Sequence, residues 1–426
     1  MKTFGDTFVL RDEREVMTCT ALPGQGKKKV RAKVRKTNVI GVGMTKFTSP
    51  KELRPYTDMG KEATLDALKD AGVEYSEIEH AYTGWVYADS CAGQKVLYDL
   101  GMTGIPVFNV NNNCSTGSNA LYLARQAVGY GAVECALALG FEQMTPGALG
   151  VVFTDRPIPM YTFFEKLYEF EPPVPGAAPA GQLFAGAGLE HQQKYGTKDE
   201  TFAKISVKAR KHARYNERAI FRDQVTVEEV LASPKQAPPL TRLQCCPPTC
   251  GAAAAVVCSD DFAKKHDIDS PVYIAAQSML TDFSSTFEGQ SPMRIVGYDI
   301  TAAAARDVYE TAGVGPEDVD VVELHDCFTA NELITYEGLG LTPEGTAEKF
   351  IEDGDNTYGG KYVVNPSGGL LSKGHPLGAT GLAQCAELVW QLRGEAGVRQ
   401  VEGAKVGLQH NIGLGGCVVV GMYRKD

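Results

Sequence analysis

The stretch Glu62–Tyr82, EATLDALKDAGVEYSEIEHAY, is echoed at Ala303–Glu323, AAARDVYETAGVGPEDVDVVE. Aligning Ala71-Gly72-Val73 with Ala312-Gly313-Val314 sets the offset at 312 − 71 = 241 residues, and Ile78 then falls on Val319 and Ala81 on Val322. In the first copy Ala63, Leu65, Ala67 and Leu68 recur at helical spacing with charges between them. Gly72 supplies a C-terminal stop before a short loop and a strand. Both copies read helix, glycine, loop, strand, so the chain is expected to be a duplicated α/β fold whose elements pack in layers.

Further strands are expected at Val39–Val42, Cys135–Leu139, Ala252–Val257, Val319–Val322 and Val406–Leu408, with helical segments between. From about 146 to 240 the pattern changes to aromatic, Pro- and Gly-rich sequence and then to a basic helix, Lys204–Arg218, read as a loop domain inserted as a cap on the first half. The expected organisation is a basic N-terminal extension over 1–37, a first half over 38–285 carrying the insertion, and a second half over 286–426.

Composition narrows the function classes. Hydrophobic residues at 43% and charged residues at 22% describe a globular chain, and a net charge of −10 argues against a general nucleic-acid binder. No apolar run reaches eighteen residues, so no membrane span is expected. Eleven scattered Cys with no secretory signal fit free thiols in a reducing compartment. Lys27, Lys28, Lys29, Arg31, Lys33, Arg35 and Lys36 crowd an arm that reads as a mitochondrial targeting segment, although Asp6, Asp12, Glu13 and Glu15 are atypical of one. A solvated terminus is the other reading. The ending Tyr423-Arg424-Lys425-Asp426 is not a Ser-Lys-Leu signal. Mitochondrion is the expected location, with a peroxisome-related organelle or the cytoplasm open.

A second internal correspondence carries chemistry. Cys114-Ser-Thr-Gly117 and His375-Pro-Leu-Gly378 each open into a small-residue helix. In a duplicated fold with pseudo-twofold symmetry such equivalent helix starts can meet near the axis, bringing thiol and imidazole together. A helix N-terminus favours the thiolate, which marks Cys114 as a candidate nucleophile, although a Cys taken alone is more often structural.

Asn113-Cys114-Ser115-Thr116-Gly117, Gly140-Phe-Glu-Gln-Met144, His325-Asp326-Cys327-Phe328, and Asn365-Pro-Ser-Gly-Gly369 running into GHPLGATG at Gly374–Gly381 together resemble the thiolase superfamily from about Val39 to Tyr423. The HDCF stretch is similar to the group related to sterol carrier protein, where most other thiolases carry Asn-Glu-Ala-Phe. The resemblance implies a thiolase fold, a duplicated five-layered α-β-α-β-α architecture with an inserted loop domain. It implies Cys114 as the acyl-accepting nucleophile, His375 as its base, and His325 as an oxyanion-hole donor. A second oxyanion hole would combine the Gly413 and Cys114 backbone N–H groups. His410-Asn411-Ile412-Gly413 resembles the family's Cys-x-Gly motif, but Asn411 stands where the second catalytic Cys would be. That acid/base role then passes to Cys327, and Asn411 is left as a substrate-binding position.

Other candidates have plainer readings. Cys417, in GGCVVV, reads as core. Cys245, Cys246 and Cys250, in QCCPPTCG, have short thiolate spacing but lack a second ligand cluster, so they read as a buried turn and no metal is expected. His80, His191, His212 and His266 read as surface or capping residues, with His410 a neighbour of the site. Lys204, Lys208 and Arg210 on the basic helix are candidates for the coenzyme A phosphates, or equally a solvated face.

The resemblance therefore implies an acyl-CoA C-acyltransferase cleaving 3-ketoacyl-CoA with coenzyme A as substrate, in fatty-acid or branched-chain lipid breakdown, with no other cofactor. Biosynthetic acetoacetyl-CoA condensation is the alternative enzyme. A non-catalytic acyl-CoA or lipid-binding homologue is the alternative of another class. A homodimer or homotetramer is expected by resemblance, and since the sequence ends soon after the resemblance does, the sterol-carrier lipid-binding domain fused to some relatives is not expected here.

Overall fold

Among the described residues twelve strands follow one another: β1 Thr37–Met44, β2 His80–Gly84, β3 Val107–Val110, β4 Cys135–Glu142, β5 Lys235–Ala237, β6 Leu240–Thr241, β7 Gly251–Ser259, β8 Val272–Leu280, β9 Val321–Glu323, β10 Val363–Val364, β11 Val406–Gly413 and β12 Cys417–Lys425. The computed structural model describes residues 34–145, 153–269 and 271–426, the side chain of Phe170 excepted. Ten strands lie in the order β10-β9-β11-β12-β8-β1-β7-β4-β2-β3, and β5 with β6 forms a separate hairpin.

The order repeats itself. β8 and β1 meet at a single pairing, Asn38 with Tyr273, and parting the strands there leaves β3-β2-β4-β7-β1 and β10-β9-β11-β12-β8. Polarity repeats too: β2 is parallel to β3 and β4, as β9 is to β10 and β11, while β7 and β12 run antiparallel to their neighbours. The helices before β2 and β9, Tyr56–Ala71 and Tyr298–Ala312, end at Gly72 and Gly313 in the left-handed conformation, with φ of 68° and 69°. His80 and Val321, the first residues of the two strands, are 321 − 80 = 241 apart, the offset read from the sequence.

Two helices fill the space between the five-strand sets. Thr116–Gly129 and Thr380–Arg393 share one apolar cluster with residues from both sets, including Val42 and Ala255 from the first and Ile274 and Val321 from the second. Of Thr380–Arg393 only Trp390 and Arg393 are incompletely buried, the pattern of a helix enclosed on every side. Tyr56–Ala71 packs on the outer face of one set and Tyr298–Ala312 on that of the other, which completes the five layers.

Three expectations are redrawn. β8 falls in the second set, ahead of the expected 285/286 division, because one apolar strand follows another there with no composition change to mark the junction. The apolar core of the described insertion packs on the second half, where Leu183, Phe184, Phe202 and Ile205 join a cluster with Leu333, Ile334, Phe350 and Leu370, while Arg218 is hydrogen-bonded to Phe47 and Met44 of the first. The arm up to residue 33 lies outside the described residues, as does 146–152. Arg35, by contrast, hydrogen-bonds Glu134 at 2.9 Å and Lys36 pairs with Asp426. No helix among the described residues is long and apolar enough to cross a membrane.

The central helices cross at their first turns with nothing between the backbones. A Cβ on Gly117 would sit 2.7 Å from the Gly378 carbonyl oxygen, and one on Gly381 2.1 Å from Ser118 Oγ. Gly117→Ala is accordingly expected to cost about 1–3 kcal/mol as overpacking against backbone that cannot yield. The measurement is a lowered midpoint of urea or thermal unfolding. Gly181→Ala, whose new Cβ would meet only the Phe328 ring at 3.6 Å or beyond, should leave the midpoint unchanged or raise it.

Candidate active site

That crossing sets Cys114 and His375 at the mouths of adjacent helices, and loops from the second half complete the site. Asn113 adopts φ 52°, a left-handed conformation that Asn tolerates, and its Nδ2 donates to the Leu414 carbonyl at 2.8 Å, tying the Cys114 loop to the end of β11. The HDCF loop follows β9. The structure gathers Cys114, His325 and His375 with one ligand atom of each within 4.8 Å of the others, and the two imidazole rings stand 5.0 Å apart at 84°.

Hydrogen bonds assign the His375 tautomer. Its Nδ1 lies 2.7 Å from Thr380 Oγ1, and that hydroxyl donates to the Pro376 carbonyl at 3.0 Å, so Nδ1 carries the proton that Thr380 accepts. Nε2 is left bare, buried and without a protein partner. It is placed to accept a proton from a thiol.

Burial keeps these groups neutral at rest. His375 is pushed down to about 3 by desolvation, and His325 is held well below the usual imidazole range by desolvation and then by the neighbouring His375 and His410. Cys114, half-buried, is pushed up to about 12, first by desolvation and then by Glu142, while the backbone N–H groups of Leu414 and Cys114 pull the other way. The expected thiolate at a helix start is therefore corrected: desolvation outweighs the amide dipoles, and the resting pair is thiol and imidazole. The N–H groups directed at the sulfur are those of Cys114 and Leu414. Gly413, one residue earlier, provides space, since a Cβ there would fall 2.0 Å from the Asn112 carbonyl oxygen.

Cys327 is buried, its thiol pushed well above the usual range by desolvation and then by Cys246, Cys114 and Asp326. Cys246, read from sequence as part of a turn, thus belongs to the neighbourhood of the site, and its N–H donates to the Cys327 carbonyl at 2.8 Å. No motif marks it; only adjacency in space does. Cys245, Cys246 and Cys250 form no metal-ligand group among the described residues. Two buried carboxylates also escaped the sequence. Glu142, pushed up to about 7 by desolvation, accepts from the N–H groups of Val86, Tyr87 and Gly378 at 2.9–3.1 Å and braces the His375 loop. Asp326, pushed up to about 8 by desolvation and then by Glu332, accepts from Leu370 and Leu371 at 2.7 and 3.3 Å and pins the HDCF loop to the segment before His375.

Several expected positions are reassigned. Asn411 is wholly buried and both ends of its amide are taken, by Ser118 Oγ and His325 Nδ1, each at 2.8 Å, so it contacts His325 and not substrate. Lys208 turns inward to a buried ion pair with Glu332, with the Val364 carbonyl at 3.2 Å, which removes it from phosphate binding. Lys204 pairs with Glu352 at the surface. Arg210 lies over the Phe221 ring at 4.4 Å, on a segment whose Phe221 N–H reaches the Ser372 carbonyl at 3.0 Å, three residues before His375. His191 and His212 are buried and hydrogen-bonded, not at the surface, because each lies on the side of its helix that packs against the second half. His410 is buried beside Thr301, and Cys417 is packed against Asn119.

A protonated resting thiol has a measurable consequence. Alkylation of Cys114 by iodoacetamide should be slow at pH 7 and still accelerating beyond pH 9, because the thiolate fraction grows with pH until the thiol's own pKa is reached. A rate that levels by pH 8 would mean an activated thiolate.

The chain is similar to known proteins in both sequence and structure. The thiolase N-terminal domain family matches residues 37–160 and the thiolase C-terminal domain-like family residues 287–419. The chain is 54% identical to sterol carrier protein 2 of Homo sapiens over 92% of its own length and 72% of that protein. It is 38% identical to acetyl-CoA acetyltransferase of Methanothermobacter thermautotrophicus over 92% of this chain and 100% of that one. The crystal structure of human mitochondrial 3-ketoacyl-CoA thiolase in complex with CoA superposes with a TM-score of 0.68 at 18% identity, covering 93% of this chain and 99% of that one. On these matches and on its HDCF motif, the chain belongs to the thiolase family of acyltransferases, as a thiolase of the sterol carrier protein type.

Proposed function

We propose that the chain cleaves 3-ketoacyl-CoA with coenzyme A in the breakdown of fatty acids or branched-chain lipids. The observation that supports this most directly is the bare Nε2 of His375 gathered with the Cys114 thiol and His325. His375 takes the thiol proton and Cys114 Sγ attacks the C3 carbonyl, whose oxygen is held by the backbone N–H groups at the sulfur. The C2–C3 bond breaks, and the electron pair passes to the enolate of acetyl-CoA or propanoyl-CoA, whose thioester oxygen accepts from His325. Cys327 protonates the α-carbon and recovers a proton from His375. Coenzyme A then gives its proton to His375 and attacks the acyl group, and Cys114 leaves with that proton restored.

Condensation to acetoacetyl-CoA runs the same steps backwards and is the alternative, favoured by the likeness to acetyl-CoA acetyltransferase. A non-catalytic binding homologue would have no use for the four groups Cys114, His325, Cys327 and His375 held in one place. Of the basic residues proposed for the coenzyme A phosphates, Arg210 is the one retained. A homodimer or homotetramer, and a mitochondrial location, complete the proposal.

The test is to incubate the purified protein with acetoacetyl-CoA and coenzyme A and to follow loss of the 3-keto absorbance. Wild type should consume substrate and Cys114→Ala should not. If both were inert while both bound acyl-CoA, the catalytic reading would fail. His325→Ala should lower kcat by about 10²–10³-fold, the usual effect of removing one oxyanion-hole donor. Cys327→Ala should still gain an acyl group on Cys114 by intact mass, yet exchange the α-protons of acetyl-CoA poorly. Unchanged exchange would assign that proton transfer to another group.

A further inference from the structure

Beside the site runs a chain of buried polar groups that the reaction steps do not use. Gln409 and Asn411 stand two apart on β11 and so face the same side, toward the first turns of the two central helices. Gln409 Nε2 lies 2.5 Å from the Gly381 carbonyl, 3.2 Å from Ser118 Oγ and 3.3 Å from Gln384 Oε1, while Gln409 Oε1 accepts from the Tyr423 hydroxyl at 2.6 Å. Ser118 Oγ is 2.8 Å from Asn411 Oδ1, and Asn411 Nδ2 is 2.8 Å from His325 Nδ1. Tyr423, Gln409, Ser118 and Asn411 have no exposed surface, and His325 has 1%.

The direction of every bond follows from one atom that cannot reverse. A backbone carbonyl only accepts, so the Gly381 oxygen requires the NH₂ end of the Gln409 amide, which turns Oε1 toward Tyr423. The second N–H of Gln409 lies between Ser118 Oγ at 3.2 Å and Gln384 Oε1 at 3.3 Å; taken up by Ser118, it leaves the Ser118 proton free for Asn411 Oδ1. That fixes the Asn411 amide with Nδ2 toward His325, and a ring nitrogen that accepts carries no proton. Amide flips and imidazole tautomers are ordinarily ambiguous. Here the remaining links follow once Ser118 Oγ takes the second Gln409 N–H.

We propose that this one-way relay, Gln409 to Ser118 to Asn411 to His325, locks the His325 proton on Nε2 and makes Ser118, Gln409 and Asn411 positioning residues of the reaction. His325 is thereby a standing donor and never the base, whereas His375, with its proton on Nδ1, takes protons at Nε2 and hands them back. Two neutral imidazoles 5.0 Å apart hold opposite tautomers, each set by its own anchor. Gly381 matters twice, as the carbonyl that sets the direction and as the residue without a side chain that lets Ser118 come close. The inference rests on the reading that His325 faces the thioester oxygen.

The decisive measurement is ¹⁵N-histidine NMR of the wild-type protein, with the His325 signals identified by their loss in His325→Gln. A protonated Nε2 and a bare Nδ1 are expected, and a proton on Nδ1 or an even mixture would overturn the relay. Ser118→Ala should mix the two tautomers and lower kcat by about tenfold, a fraction of the 10²–10³ for losing the donor outright, with KM for coenzyme A within about twofold. In a His325→Ala background the same change should have no further effect on kcat, because the two act as one unit. An unaltered tautomer in Ser118→Ala, or effects that add in the double variant, would reduce Ser118 to packing. If the tautomers behave as expected while acetoacetyl-CoA is never cleaved, the relay stands and the proposed activity falls.

Discussion

The approach of two helix starts without side chains between them is the constraint on which the rest of the molecule depends. Gly117 and Gly381 let the backbones touch, and the surrounding layers exist in part to hold that contact dry. From it follow the meeting of Cys114 with His375, the reach of Ser118 to β11, and the brace from Glu142 to Gly378. A few tenths of an ångström of separation would loosen all three at once, because each spans the same junction.

Water exclusion has a chemical cost and a chemical use. It forces Cys114, Cys327, His325 and His375 into their uncharged forms, so no thiolate–imidazolium pair is stored in the free protein. Charge has to appear only as bonds change, and the groups that meet it are already aimed. Preorganised N–H donors in such a setting act more strongly than they would in water. The buried carboxyl groups of Glu142 and Asp326 answer to backbone amides instead of to the reacting atoms, which keeps them employed in bracing loops.

Much of the fold was legible because its signals are periodic. The 241-residue offset seen in Ala71-Gly72-Val73 and Ala312-Gly313-Val314 reappears in the starts of β2 and β9, since helix caps and strand alternation are local properties. The pairing of Cys114 with His375 was legible through the same duplication. Tertiary choices were not. Lys208 shares a basic helix with Lys204 and Arg210, and only packing tells which face turns toward Glu332. Cys246 sits in a turn with no motif and comes beside Cys327 through a backbone hydrogen bond. Asn411 was noticed as a missing Cys, yet its partner Ser118 lies 293 residues away, a distance no local pattern bridges. Desolvation of the Cys114 thiol is likewise a property of the assembled layers, invisible at a helix start considered alone.

The repeated strand order carries a consequence for how such a site can arise. Cys114 and His375 lie in corresponding loops of the two halves, two residues before the helix that starts at Thr116 and five before the one that starts at Thr380. Two separate but identical chains, joined about the same axis, would offer thiol to thiol or imidazole to imidazole, because symmetry copies every residue. Covalent fusion of the copies releases each half to mutate independently. Nucleophile and base can then arise separately in corresponding loops, and an asymmetric chemistry is built on a symmetric scaffold.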